Sequence, residues 1–522
     1  MAIYDLSPEL LVTVVELCED KDTYAFALCC RNAYNALSNI LAKHQKLWQQ
    51  WNTIDSNDNR KPFHEQILEF TRNPKLASYV EVLSFDCELE RRTYTNFETT
   101  EMMSRLLNLG KSDWNLFEDI FGDFDDLTNG APRGHFHPND HSCQLQWLSA
   151  YLVVVAPNLR RLECFGSRMA GDELLLLLAN AARISPSMSA LPLQQLRVVE
   201  VKLERNADEG GLPFDWLLAS MGLPSVRTFA ASRMSSDSVY LEQKEGLKSN
   251  LETLILENCT FETDVFARVL GSIQNLRIFS YSNGQDSNVD YGSFSPKRVT
   301  GILMFNAGHS LEHLTVCGRD HDVSIQRQKV EDRHSLTCHQ EANVVHNGYE
   351  WPYVSLADFK KLKTLRCSTS LLTSDPEFIH STTYETVSIA TECRAGNGQR
   401  YEDDDFLQPT PRALRRLAFA ARLPQSLKAL HLEEYPCHTP LAYYALSEFV
   451  QKVDGLLPSL KQLYLDDWGF EYLQNKGLLG LVAQKGLKYK ALHNPFQLYT
   501  RTRCDYNGSS AYQDDFEGEE EE

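Results

Sequence analysis

Two clusters of histidine and cysteine carry the residue types from which a metal site is built: His135, His137, His141 and Cys143 within nine residues, and His334, Cys338, His339 and His346 within thirteen. Zinc accepts imidazole and thiolate, and a zinc ion with an open position activates water for hydrolysis. Neither cluster has the spacing of a regular finger. Both fall among Gly, Pro and Asn residues that read as loops, so these side chains are expected to be solvated or polar-packed, with no metal and no other cofactor. A metal-dependent hydrolase stands as the alternative from the enzyme class. The sequence holds no Gly-rich phosphate loop ending in Lys-Ser/Thr, no Gly-x-Ser-x-Gly and no His-Glu-x-x-His. No catalytic residue is therefore expected, and the chain reads as non-enzymatic.

A second set of side chains suited to binding is cationic: Arg160, Arg161, Arg197, Arg227, Arg277, Lys363, Lys428 and Lys461 recur beside leucine or valine in one repeated motif. Solvated repeat positions are the ordinary reading. A row of cations on an acidic protein also suits an acidic protein partner or a phosphate group, with Arg227, Arg277 and Lys363 as the candidate substrate-binding residues. The chain has 51 Lys+Arg against 71 Asp+Glu, a formal charge of -20, which repels a phosphate backbone, so nucleic acid is not an expected ligand.

The motif that carries these cations is an apolar residue, two polar ones, then apolar-x-apolar, and it recurs about ten times. Copies begin at Val80, Leu159, Leu196, Val226, Leu251, Leu276, Leu311, Leu362, Leu427 and Leu460. Apolar residues at the fourth and sixth places make a short strand with one face buried, and the first apolar residue packs in the turn that enters it. This is the spacing of a leucine-rich repeat. The copy at Leu251 adds Asn258 and Cys259 where a polar or thiol group bonds the backbone as the strand turns out.

Helical spacing appears between copies at Asp172 to Arg183, Asp264 to Ile273 and Ala442 to Val453. Strand-then-helix units of this kind stack into a curved solenoid with a parallel sheet, and the competing reading is an ordinary α/β domain. Insertions are expected at Asp86 to Gln146, Gly284 to Thr300, Gly318 to Tyr353 and Cys393 to Thr410. The first contains Trp114, Phe117, Phe121 and Phe124 at helical spacing, which reads as core packing before it reads as a binding surface. Tyr384 to Ile389 is a degenerate copy of the hexad.

The first fifty residues differ from the rest. Ser7 is placed to cap a helix, Pro8 fits its first turn, and Leu10, Leu11, Val14, Val15 and Leu17 form an apolar stripe. Asp22 or Thr23 can cap a second helix running through Ala25, Leu28, Cys29 and Tyr34 to Leu37. Helices this short cannot bury such a surface alone and need a neighbour. Capping the open end of a repeat array would itself supply one.

The pattern Leu-x-Pro-Glu-Leu-Leu at Leu6 to Leu11, then Asp22, then Cys30-Arg31-x-x-Tyr34-x-x-Leu37, resembles the fungal form of the F-box. It departs from that pattern at Ser7, where many members have proline, and at Thr23-Tyr24, where Leu-Leu is commoner. The resemblance implies a small helical bundle docking on a Skp-type adaptor and through it on a cullin-RING ubiquitin ligase. Leu6, Pro8, Leu10, Leu11, Val14, Leu28, Cys30, Arg31 and Tyr34 would be the adaptor-binding residues.

The expected fold is thus α/β: an irregular leucine-rich-repeat solenoid preceded by a small all-α F-box-like helical module. The expected divisions are the module at 1–50, a helical linker at 51–79, the solenoid with long loop insertions at 80–500 and an acidic disordered tail at 501–522. The expected function is the substrate-recognition adaptor of an SCF-type ligase. The alternative is a leucine-rich-repeat scaffold with no ubiquitin link. Thirteen cysteines, an odd count without a Cys-x-x-Cys pair, fit the reducing cytoplasm or nucleus. No signal peptide and no membrane span are expected, since apolar runs such as Leu174 to Ala179 are far too short to span a bilayer.

Overall fold

The structure, a computed structural model, describes residues 6–16, 26–29, 31–56, 63–86, 152–153, 155–166, 175, 178, 193–203, 211–235, 248–261, 263–283, 296–317, 355–368, 371, 423–433, 449–466, 473–474 and 477–492. They form a mixed α/β protein built on a large parallel sheet. The chain divides into two compact units, Met1–Asp322 with Asn343–Pro352, and Val323–Ala342 with Tyr353–Glu522. Among the described residues no helix is long and apolar enough to cross a membrane. Both histidine clusters, the Trp114 stripe, the copy at Tyr384 and the acidic C-terminal run lie outside the described residues, as do Asp172 and Arg183.

The first unit opens with helices α1 (Pro8–Glu16), α2 (Arg31–Ala36) and α3 (Ser38–Trp51), followed by strand β1 (Thr53–Asp55) and helix α4 (Phe63–Arg72). Then come β2 (Val82–Asp86), β3 (Arg161–Gly166), β4 (Val198–Leu203), β5 (Leu212–Pro213), α5 (Asp215–Gly222), β6 (Thr228–Ser232), β7 (Met234–Ser235) and β8 (Thr253–Cys259). Helix α6 (Thr263–Ser272), β9 (Ile278–Asn283), α7 (Pro296–Ala307) and β10 (His313–Cys317) complete it. The sheet order is β1-β2-β3-β4-β6-β8-β9-β10, with every pair parallel, and β5 pairs separately with β7. In the second unit β11 (Thr364–Ser368), β12 (Ala429–Glu433), β13 (Gln462–Asp466), helix α8 (Leu479–Gln484) and β14 (Lys488–Leu492) give the parallel order β11-β12-β13-β14.

The ten hexads that begin between Val80 and Leu460 each supply one of these strands, and within each unit they pair in register. Leu83, Leu162, Val199, Phe229, Leu254, Phe279 and Leu314, the fourth places, align from strand to strand in the first unit, and all are buried. Leu365, Leu430 and Leu463 do the same in the second. Two elements differ from the expected divisions. Trp51-Asn52-Thr53-Ile54 forms a further, degenerate copy, with Trp51 and Ile54 buried and β1 pairing with β2, so a strand lies inside the segment read as a helical linker. Its tryptophan replaces the leucine that marks the other copies. The insertion expected at Gly284 to Thr300 gives way at Pro296 to helix α7, whose Val299, Ile302, Leu303 and Ala307 are buried.

One hydrogen-bond arrangement recurs from copy to copy at the strand entries of β2, β3, β4, β6, β8, β9, β10, β12 and β13. The carbonyl of the second hexad residue accepts two N–H groups from the next strand: Glu81 from Arg160 and Arg161, Arg160 from Arg197 and Val198, Arg227 from Glu252 and Thr253, Arg277 from Glu312 and His313, and Lys363 from Lys428 and Ala429. The residue just before the hexad often adds a side-chain bond to the preceding copy. Ser310 Oγ donates to Leu276 O at 2.8 Å, Ser426 Oγ to Leu362 O at 2.8 Å, and Asn158 Nδ2 to Ser78 O at 2.6 Å. Each satisfies a carbonyl that burial would otherwise leave costly.

At the exit of β8 the register shifts between Leu256 and Cys259, and Asn258 takes a left-handed φ of 53°, a conformation asparagine tolerates. The bulge turns the fully buried Cys259 inward. Its Sγ accepts from the Met234 N–H at 3.3 Å and donates to Glu257 O at 3.3 Å, while Tyr281 Oη donates to Cys259 O at 2.8 Å. Burial pushes the Cys259 thiol from 9.0 up to about 12, and burial likewise raises Tyr281 well above its usual value.

Both groups are acids whose folded-state pKa is raised, so the stability they contribute is whole below about pH 9, and the Cys259 part of it is lost as pH rises through about 12. Urea midpoints should therefore fall between pH 8 and pH 11. At pH 8 the Cys259 peptide should resist iodoacetamide until the chain is unfolded, while Cys29, which is exposed, reacts in the native protein. Peptide-level mass spectrometry reads both, and rapid native labelling of Cys259 would contradict the burial.

Candidate functional site: an apolar face on the N-terminal helices

Helix α1 starts where the sequence places it. The Leu11 N–H bonds to Ser7 O at 3.0 Å, and Ser7 Oγ accepts from the Leu10 N–H at a long 3.5 Å. Val15 from α1, Ala27 from a helical turn at 26–28, Leu37 at the α2–α3 junction and Leu41 from α3 form a shared core, with Val12, Phe26 and Ile40 packed against it. These helices therefore bury an apolar core of their own. Helix α3 fastens them to the first strand. It ends at the buried Trp51, whose ring meets Phe70 of α4 edge-on at 5.0 Å, and His44 Nδ1 bonds Tyr79 Oη just before β2.

What this core leaves outside is apolar. Leu10 is 52% exposed, Leu28 75% and Tyr34 51%. A leucine three-quarters exposed on a structured helical turn gains nothing from folding, so folding alone does not account for its presence. Of the other residues read as adaptor-binding, Pro8 and Arg31 are exposed, Leu6 and Val14 are half-buried, Leu11 is buried at 1%, and Cys30 lies outside the described residues. Leu11 thus serves the core. Trp48 of α3, 43% exposed, is an apolar residue the sequence reading missed. It occurs in Lys-Leu-Trp-Gln-Gln-Trp, where both tryptophans look equally fit for burial and only Trp51 is buried.

The cations of the repeats sit elsewhere. Arg227 Nε lies 3.5 Å from Glu252, Arg277 Nη1 3.8 Å from the same carboxylate, and Arg277 Nη2 2.8 Å from Glu312. All four are second residues of consecutive hexads, and they alternate in sign. Glu312's hydrogen bond and charge hold the Arg277 proton more tightly than usual. Arg227 also donates to the carbonyls of Pro224 at 3.0 Å and Asn250 at 3.3 Å. The two arginines singled out for substrate are thus engaged inside their own ladder. Lys363, half-buried, belongs to the second unit, where the next second-place residues are Lys428 and Lys461.

Neither a family model nor a curated protein matches this chain.

If the exposed face is not needed for folding, its loss should cost little stability. Leu28→Glu should leave the unfolding free energy within roughly 0.5 kcal/mol of the parent. Leu37→Ala, which opens a cavity at a residue 0% exposed, should cost about 2 to 5 kcal/mol if the helices unfold with the rest. Chemical denaturation followed by circular dichroism separates the two, and equal losses would mean that Leu28 is core.

Proposed function

We propose that this chain is a substrate-recognition adaptor of an SCF-type ubiquitin ligase, with an F-box-like helical module that docks on a Skp-type adaptor and a leucine-rich-repeat solenoid that holds the target protein. The observation that carries the reading is the group of exposed apolar residues, Leu10, Leu28 and Tyr34, on helices that already have a core. Leu10 and Tyr34 belong to the Leu-x-Pro-Glu-Leu-Leu and Cys-Arg-x-x-Tyr stretches by which the sequence resembles the F-box, and Leu28 stands two residues before the second. The solenoid reading is supported by the parallel order of the strands, the in-register hexads and the repeated entry bond of each copy.

In this role the chain performs no bond chemistry. A target held on the repeats, with the module fixed to the ligase, presents its lysines to a ubiquitin-loaded enzyme at high effective concentration, so the rate gain comes from proximity. The direct passage from α3 into β1 through the buried Trp51 suits this use, because a stiff join carries the position of one end to the other.

A pull-down of the intact chain with a Skp-type adaptor tests the proposal. The intact protein should bind. The Leu10→Glu, Leu28→Glu double variant, checked for retained fold, should lose about thirtyfold or more in affinity, the effect of removing an apolar hot spot. If the intact chain does not bind, the ubiquitin link fails and a protein-binding scaffold remains.

A further inference from the structure

Ser7 stands at the head of the exposed apolar group, and capping does not account for its hydroxyl. Backbone holds the start of α1, the Leu11 N–H bonding Ser7 O at 3.0 Å, whereas Ser7 Oγ meets the Leu10 N–H only at 3.5 Å, beyond the usual range for such a bond. Ser7 and Pro8 are both exposed, and this serine stands where the F-box pattern commonly has proline, which carries no hydroxyl. Leu10, 52% exposed, is three residues further on, so it lies on the same side of the helix as Ser7. A serine followed directly by proline is the dipeptide that proline-directed protein kinases read. Drawing Ser7 and Pro8 into an extended segment opens only the first turn of α1, where the N–H groups have no helical partner, and leaves the core residue Val15 in place. Ser185, Ser295, Thr410 and Thr439 also precede proline and lie outside the described residues.

We propose that Ser7 is a phosphorylation site for a proline-directed protein kinase, and that its phosphate closes the apolar face to the Skp-type adaptor. Ser7 Oγ attacks the γ-phosphorus of a nucleoside triphosphate bound to the kinase. The Oγ–P bond forms as the P–O bond to the nucleoside diphosphate breaks, and the hydroxyl proton passes to the kinase's carboxylate base and then to water. The product carries about two negative charges at neutral pH where the side chain had none. That charge stands beside Leu10, which docking must take out of water, and a phosphate desolvated in an apolar contact opposes the contact. The modification acts on the undocked chain, where Ser7 is exposed. Helix α1 is kept, because an anion at a helix start favours the first turn. The switch therefore acts on docking and leaves the fold intact. It is a regulation of the docking face and rests on the F-box reading for the identity of the partner.

The full chain is first incubated with ATP, magnesium and a proline-directed kinase, and its N-terminal peptide is read by mass spectrometry. Ser7 should take up phosphate and Pro8→Ala should prevent it. A treated chain whose Ser7 stays unmodified overturns the site. Chain made with phosphoserine at position 7 is then titrated against a Skp-type adaptor, beside the unmodified chain and Ser7→Ala. The phosphoserine form should bind about tenfold or more weakly, and phosphatase should restore it. Ser7→Ala should stay within about twofold of the unmodified chain. Equal affinity of the phosphoserine and unmodified forms overturns the regulation, and so does equal weakening by Ser7→Ala, which would make the hydroxyl itself the contact. Far-UV circular dichroism of the phosphoserine form should match the unmodified chain, and a loss of helix would overturn the proposal by making the effect one of folding. The kinase step contains no adaptor. An unmodified chain that fails to bind the adaptor sinks the F-box reading and the regulation together, while phosphate on Ser7 with unchanged affinity sinks the regulation alone.

Discussion

Register between neighbouring strands is the constraint on which the rest of this protein depends. A strand has a side-chain period of two, so a slip of one residue would turn every leucine outward and every charge inward. The doubly accepting carbonyl at the second hexad place opposes such a slip. It fixes two N–H groups of the next strand at the same point in each copy, from Asn52 through Arg277 and again from Lys363 to Lys428. Because the lock is made by backbone, the side chain at that place is free to vary. Glutamate, arginine, lysine and asparagine all occupy it.

That freedom has an electrostatic consequence. Second-place side chains of successive copies stand one strand spacing apart, about 4.8 Å, close enough for their charges to interact. From Arg227 through Glu252 and Arg277 to Glu312 the signs alternate, and the ion pairs follow. From Lys363 through Lys428 to Lys461 they do not alternate. Taken one at a time, Arg227 and Arg277 look in the sequence like Lys363, Lys428 and Lys461, a cation beside an apolar residue. Only knowledge of which copy stacks on which distinguishes a neutralised ladder from a cationic one, and that pairing is tertiary information. The hexads themselves were legible, because each states its buried face locally. The copy at Trp51 was hidden because tryptophan and asparagine hold places where the pattern looks for leucine and charge.

A similar limit applies to the N-terminal helices. The cap at Ser7, the start at Pro8 and the apolar stripe were readable from residue types alone. Which apolar residues face the core was not. Leu10 and Leu11 are adjacent and chemically identical, and the structure exposes one by 52% and the other by 1%. Adjacent helical residues point about 100° apart, so the direction of packing decides between them, and α1 packs through the core that Val15 shares with Ala27, Leu37 and Leu41. Leu28 is the extreme case, since nothing in its local sequence separates an exposed leucine from a buried one.

The positions that fold this protein and those left free to vary can therefore be separated by energetic cost. Inward fourth and sixth places are nearly all apolar and buried, and a polar residue there would be buried without a partner at a cost of about 1 to 3 kcal/mol. The outward fifth places carry glutamate, alanine, isoleucine, serine, threonine, arginine, histidine and tyrosine without disturbing the backbone ladder. Strand β14 shows where this rule relaxes. Its inward fourth place holds Tyr489, 39% exposed, beside Lys488 and Lys490, and the buried Leu487 lies just before the strand. At that place the strand contributes less to the core than its neighbours do with Leu430 and Leu463. Its cations stand on the outward face, where they stay in water and cost the core nothing.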